Sequence, residues 1–415
     1  MPRRTDRGPA ASSRAASFGG EGVARRLAAA VALALSCGGA HAIGGDDLRA
    51  RVGYSLLFDS NLFRLPEDTI VPGVTSRSEM VRALSGGFDF DRSWSAQQFR
   101  ASVGLRDNRY TEYPGLDGLD YSVALGWTLF NGDRNSLAVD ASRSRATLGF
   151  ADVRIPGRPV VDTSSLAVRG ALEIVPRWSA LAAAGVTSTE NAPASRTVLD
   201  YRLTFAEAGA RHDWMTGSTF DFVWRRSFAE FPNSVAGLAF DNGYDQDDVG
   251  VRMTWRISEA TTLSGRAGLQ HRSYRDPRRE SFTGPGVSLT ADWRPLGSLA
   301  ISSTLRSELS TAAEISATYA QLNGLSTAAT WAATGKTSVR AGIDLLRRDF
   351  RGDAVSGLVG ATRRDDIVGL SVGVAVRPWR TLELGADLRW DQRDSTVPSF
   401  DFTARTLVLR AGLVF

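Results

Sequence analysis

The residues able to do chemistry are few, and their surroundings decide of what kind. After residue 43 the chain has two histidines, His212 and His271. His212 sits in Arg211-His212-Asp213-Trp214 and His271 precedes Arg272, and neither has a serine or acid at a spacing that suggests a relay. Nucleophilic catalysis needs nucleophile, base and orienting acid within hydrogen-bond reach, so both read as strand residues with interface polarity, and a hydrolase is the weaker reading. No metal-ligand cluster and no glycine-rich phosphate loop stands out, and nothing calls for a cofactor. The single cysteine, Cys37, follows Ala34-Leu35-Ser36, which places leucine at the wrong offset for lipid attachment. The rest of the chain uses neither disulfides nor thiolates.

The chemistry then falls to arginine. Lys336 is the only lysine among 49 basic residues, and the net charge is +4. The cations are spread evenly rather than gathered in a patch, which gives nucleic-acid binding no support. Counted by strand parity, one face carries Arg51, Arg100, Arg106, Arg169, Arg225, Arg252, Arg256, Arg266, Arg306, Arg340, Arg389 and Arg410, with Glu173, Asp221, Asp292, Glu308, Asp344, Glu383 and Asp387 among them. A planar guanidinium fork matches carboxylates and sugar acids. On that reading Arg100, Arg106, Arg169, Arg225, Arg252, Arg266, Arg306, Arg340 and Arg389 line a mildly cationic passage for a polyanionic or hydroxyl-rich chain. The alternative is that cross-strand arginine–carboxylate ladders stiffen a wall.

The elements that must position these side chains are strands. Period-two alternation dominates after residue 43: Leu119, Tyr121, Val123, Leu125, Trp127 and Leu129 alternate with polar or small residues, as do Val249, Val251, Met253, Trp255 and Ile257. Glycine falls on the polar face, where it leaves space and relieves curvature. Short turns read near Arg92–Ala96, Asn131–Asn135, Arg177–Ser179, Met215–Ser218, Ser258–Thr261, Pro295–Ser298, Gly335–Lys336 and Pro378–Arg380. Each has a tryptophan close by: Trp94, Trp127, Trp178, Trp214, Trp255, Trp293, Trp331 and Trp379. Longer polar segments alternate with them, at Ile70–Arg77, Val153–Asp162, Asn233–Asp248 and Asp391–Phe400.

Tight turns at one end, long loops at the other and aromatic girdles describe an all-β, up-and-down antiparallel transmembrane barrel. The turns give about eighteen strands, an even number that puts both termini in the periplasm of a Gram-negative cell. A soluble propeller also repeats every 40–45 residues, roughly, but needs four short strands per repeat, whereas each repeat here holds two long runs. No stretch beyond the N-terminus reaches the ~20 apolar residues of a spanning helix. The C-terminal Leu407–Phe415 has apolar alternation and a terminal aromatic, the form in which barrel-insertion machinery recognises its clients. As a soluble edge it would be a liability.

Residues 1–42 read as an N-terminal extension and secretory signal: Arg25-Arg26, an apolar core from Leu27 to Leu35, and a cleavage site at Ala40-His41-Ala42. A start nearer Val23 would suit this signal better. Residues 43–415 then form the outer-membrane barrel. The few residues before the first strand leave no room for a plug, which argues against energy-coupled uptake.

One segment breaks the alternation. Asp59, Ser60 and Asn61 favour a turn, yet Leu62, Phe63 and Leu65 are too apolar for a solvated loop; they either fold into the barrel mouth or pack on the membrane interface. Asp59-Ser60-Asn61-Leu62-Phe63-Arg64-Leu65, directly after a first strand, resembles the D-x-N-L-F-R-L stretch of EpsL-type exopolysaccharide biosynthesis outer-membrane proteins. The resemblance implies a β-barrel porin taking part in export of an extracellular polysaccharide, with a polysaccharide chain in the lumen, lipid outside, periplasmic export components as separate partners and no catalytic residues. The alternatives are a diffusion porin for small solutes and a structural polysaccharide anchor.

Overall fold

The computed structural model describes residues 47–415 apart from 68, 72, 133, 152, 154–156, 234–242, 278, 280, 311–318 and 352–362. The signal segment and Cys37 lie outside these residues, as does most of the expected loop within Asn233–Asp248.

Eighteen strands follow in chain order. They are β1 (Leu48–Asp59), β2 (Glu79–Trp94), β3 (Gln97–Tyr110), β4 (Gly118–Asn131), β5 (Asn135–Thr147), β6 (Val160–Val175), β7 (Trp178–Ala192), β8 (Tyr201–Asp213) and β9 (Thr219–Glu230). The second half adds β10 (Tyr244–Arg256), β11 (Thr261–Tyr274), β12 (Phe282–Leu296), β13 (Leu299–Ser310), β14 (Tyr319–Ala332), β15 (Thr337–Arg351), β16 (Arg364–Val376), β17 (Leu382–Ser395) and β18 (Phe402–Val414). Each pairs antiparallel with its chain neighbours, and β18 closes on β1. The seam runs from Arg51 opposite Val414 to Asp59 opposite Thr406, and Phe415 adds a reciprocal pair of backbone bonds with Ala50 at 2.9 and 3.1 Å. Closure leaves no strand edge in lipid, the condition for a sheet to cross a bilayer.

The short turns fall where the alternation places them, within a residue or two, at one end of the barrel. Two of the expected loops are shorter than read, because Asp391–Ser395 completes β17 and Tyr244–Asp248 opens β10. There the sequence is polar on both faces, and ladder pairing rather than hydropathy sets the strand limits.

Residues opposite one another in an antiparallel pair share a face. Following the register round the ring, one face carries Leu125, Leu166, Val249, Leu269, Leu305, Val372 and Leu388, all large, apolar and exposed. This is the lipid-facing band. The opposite face is the concave one, because its side chains reach across an intervening strand. Arg252 on β10 meets Glu207 on β8 at 3.1 Å, Arg266 on β11 meets Glu308 on β13 at 3.1 Å, and Arg389 on β17 meets Asp344 on β15 at 3.0 Å. Gly250 and Gly268 face each other across β10 and β11; a Cβ on Gly250 would lie 2.4 Å from the Ala267 carbonyl oxygen and 2.7 Å from the Gly268 Cα.

Candidate functional site

The mouth at the long-loop end is built from the segment that broke the alternation. Asp59, at the end of β1, accepts from the Asn61 amide at 2.9 Å and from Arg64 at 2.8 Å. Asn61 then bonds Leu65 twice, accepting from its N–H at 3.0 Å and donating to its carbonyl at 2.8 Å, and donates to the Thr403 carbonyl of β18 at 3.1 Å. A buried carboxamide satisfied on both sides closes the turn in the manner of a short ladder. Arg64 takes a left-handed backbone, φ 54°, and its guanidinium lies 5.7 Å from the Phe402 ring on the inner face of β18.

This geometry turns Leu62, Phe63 and Leu65 inward, which decides between the two readings of the segment. Leu62 packs with Leu116 of the β3–β4 loop and Phe150 of the β5–β6 loop. The Phe63 ring meets Tyr113 and Phe150 edge-on, both at 4.8 Å, the arrangement aromatic quadrupoles favour. Glu79, buried at the start of β2, holds the β3–β4 loop by accepting from the amides of Thr111, Glu112 and Tyr113 at 2.8 to 3.2 Å. Three loops thus share one apolar knot in the mouth.

A second tie comes from across the ring. Arg393, on the inner face of β17 and fully buried, donates to the Phe400 carbonyl at 2.8 Å and to the Ala151 carbonyl of the β5–β6 loop at 2.6 Å. Asp365, also fully buried, lies 3.7 Å from Arg393 and accepts from Arg363 at 2.9 Å and from Ser395 at 2.6 Å. Arg363 stacks 3.4 Å over Phe400.

Below the mouth the inner wall is a field of ion pairs. The register places all nine expected arginines on the inner face. Six of them meet carboxylates: Arg100 and Arg169 share Asp140, Arg225 and Arg252 share Glu207, Arg266 meets Glu308, and Arg389 meets Asp344 and Asp391. Arg252 also reaches Asp221, which Arg211 holds at 2.7 Å. Arg106 bonds Asn108 at 2.9 Å instead of an acid, and Arg106, Arg306 and Arg340 have no carboxylate partner among the described residues. The carboxylates are about as numerous as the arginines on this face, so the wall is a paired lattice more than a cationic tube.

Parity on the flanking strands would also have pointed to Arg211, Arg272 and Arg393; Arg363 lies in a loop, where parity gives no signal. Both histidines point outward. His212 packs 4.5 Å from Trp178 in the short-turn girdle, and the Nδ1 of His271 lies 2.8 Å from the Thr283 hydroxyl. Among the described residues no group of three or more His, Cys, Asp or Glu could hold a metal ion.

The family described as "Putative beta-barrel porin 2" matches residues 241–414, the half-barrel from β10 to β18. No curated protein matches the chain in sequence. Among solved structures, OccK2 (OpdF) of Pseudomonas aeruginosa superimposes with a TM-score of 0.51 at 12% identity, over 89% of this chain and 98% of that one. OccK9 (OpdG) of the same organism gives 0.49 at 11% identity over 89% and 99%, and the outer membrane protein opdK gives 0.48 at 10% over 89% and 99%. The OccK2 likeness is one of fold. The protein is a closed eighteen-stranded transmembrane β-barrel, and fold and family match together point to the outer membrane.

Proposed function

We propose that this barrel is a passive outer-membrane channel for small hydrophilic solutes, with the long-loop end outward and both termini periplasmic. The observation that carries the reading is a polar, ion-paired inner wall beneath a mouth narrowed by three inward-folded loops. A wall of alternating guanidinium and carboxylate groups replaces hydration for a polar solute without holding it tightly, as conduction requires. Arg106, Arg306 and Arg340 keep their charge available, and they are the residues expected to meet a carboxylated solute as it passes. The match to a porin family over the second half of the chain supports the same reading.

Polysaccharide export is the second reading, favoured by the Asp59–Leu65 segment. A polymer would have to displace the knot that this segment forms with Leu116 and Phe150, or thread beside it. On this reading export components would dock from the periplasm as separate chains. On either reading the barrel-insertion machinery takes up the strand that ends in Phe415.

Liposome swelling separates the two. Purified barrel should admit small sugars and sugar acids and conduct ions in planar bilayers. Liposomes that stay tight to every small solute would overturn the channel reading, and block of conductance by polysaccharide alone would favour export.

A further inference from the structure

On the lipid side of the barrel, at the long-loop end, four apolar residues stand side by side across the closing seam. The register sets Leu388 of β17 against Leu407 of β18, Leu407 against Phe58 of β1, and Phe58 against Met80 of β2. They floor an outer groove of about 420 Å³. One level nearer the loops, Arg405 of β18 forms the rim, opposite Trp390 of β17; its amide donates to the Ser60 hydroxyl at 2.8 Å and its carbonyl accepts from the Ser60 amide at 2.9 Å. On the other side of β1, Arg82 projects outward from β2, two residues below Met80 and opposite Leu56.

Neither Arg82 nor Arg405 has a carboxylate partner among the described residues, whereas three other outward arginines do. Arg109 meets Asp107 at 2.9 Å, Arg145 meets Asp162 at 2.8 Å, and Arg347 meets Asp366 at 2.7 Å. Arg82 in addition stands directly opposite Arg109, whose own charge Asp107 and Asp117 offset at 2.9 and 3.3 Å, so Arg82 is the member of the facing pair left without an acid. A guanidinium this close to hydrocarbon turns its head toward the aqueous side, the side on which Arg405 stands. The groove's other charges do not answer these cations. Glu112 on the rim is a single carboxylate, and Asp59 and Glu79, which border the groove from the wall, are engaged by Arg64 and by backbone amides.

We infer that this groove is a site for a phosphorylated, acylated glycolipid of the outer leaflet. Its acyl chain would lie along Leu388, Leu407, Phe58 and Met80, and its phosphate would sit between Arg405 and Arg82. An apolar strip capped by tryptophan and unpaired arginine matches the two ends of such a lipid, greasy below and anionic above. The inference rests on the long-loop end facing the outer leaflet, as proposed above.

The test is native mass spectrometry of the full barrel in detergent, with diphosphorylated lipid A as the probe. The wild type should retain one lipid A, and the Arg82→Gln/Arg405→Gln pair should retain it at least about tenfold less well. Leu407→Asp should weaken retention through the floor, and Arg143→Gln, an outward arginine away from the seam, should leave it unchanged. Heat-modifiable migration on gels reports that each variant is folded. Three results would each overturn the site: equal retention by the double variant, equal retention of phosphatidylcholine by the wild type, or displacement of lipid A by millimolar inorganic phosphate, which would mean a free-anion site. Conductance of the same variants should stay at the wild-type value, so a failed lipid site and a failed channel are read on separate measurements.

Discussion

Arg393 on β17 donates to the carbonyl of Ala151 at 2.6 Å, a bond between residues 242 positions apart in the chain. Six steps of the ring separate β17 from β5, through β18, β1, β2, β3 and β4. A loop must therefore fold over the lumen to bring them together, and the buried guanidinium is what keeps it there. Arg393→Ala should release the β5–β6 loop and raise single-channel conductance by about twofold, since pore width governs passage. Planar-bilayer recording checks it, and an unchanged conductance would mean that the mouth is held by the apolar knot alone.

The knot itself can be tested at Phe63. Its ring touches Tyr113 and Phe150 at 4.8 Å each, and truncating a packed phenylalanine costs about 3–5 kcal/mol. That loss falls on the loops and leaves the strand ladder intact. Phe63→Ala should therefore speed liposome swelling and expose the β3–β4 loop to protease, while the barrel's heat-modifiable migration stays as in the wild type.

How much of this was legible in the sequence follows from what each feature depends on. Strand parity is local, so Leu119 to Leu129 announce one lipid-facing face and the arginines between other such runs announce the lumen. The tryptophans marked the short turns for the same reason. Ion pairing was not legible. Whether Arg252 meets Glu207 depends on the register of β8, β9 and β10 together, and a slip of one residue would send every side chain to the other face. The inward fold of Leu62 and Phe63 was legible only as a conflict, since apolar residues in a polar loop need a partner that only Leu116 and Phe150, far along the chain, supply. The bond from Arg393 to Ala151 had no sequence signal at all.

Charge selectivity should follow the arginines that lack carboxylate partners. Reversing Arg306 and Arg340 to glutamate changes the lumen charge by four units without breaking an ion pair among the described residues. The reversal potential in a salt gradient should shift toward cations, and sugar acids should permeate more slowly than neutral sugars of the same size. Arg252→Gln is the contrasting case. Its partners Glu207 and Asp221 have side chains only 7% and 5% exposed, so the variant should lose about 1–3 kcal/mol of stability with a smaller change in selectivity. Identical reversal potentials for wild type and the double glutamate variant would remove these arginines from the mechanism.

The lipid band makes the most general prediction. Leu125 on β4 is 55% exposed and points outward near the middle of its strand. In water that exposure would be a neutral surface feature, and arginine there would be tolerated or even favoured. In hydrocarbon the same guanidinium must be dragged from solvent, at a cost of about 2–4 kcal/mol near the midplane. Leu125→Arg should therefore lower the unfolding free energy measured in lipid vesicles by that amount. Ala124→Arg, one residue along and facing the lumen, should change it far less because the new side chain reaches water. A protein whose stability responded equally to both would not have lipid on one side of its wall and water on the other.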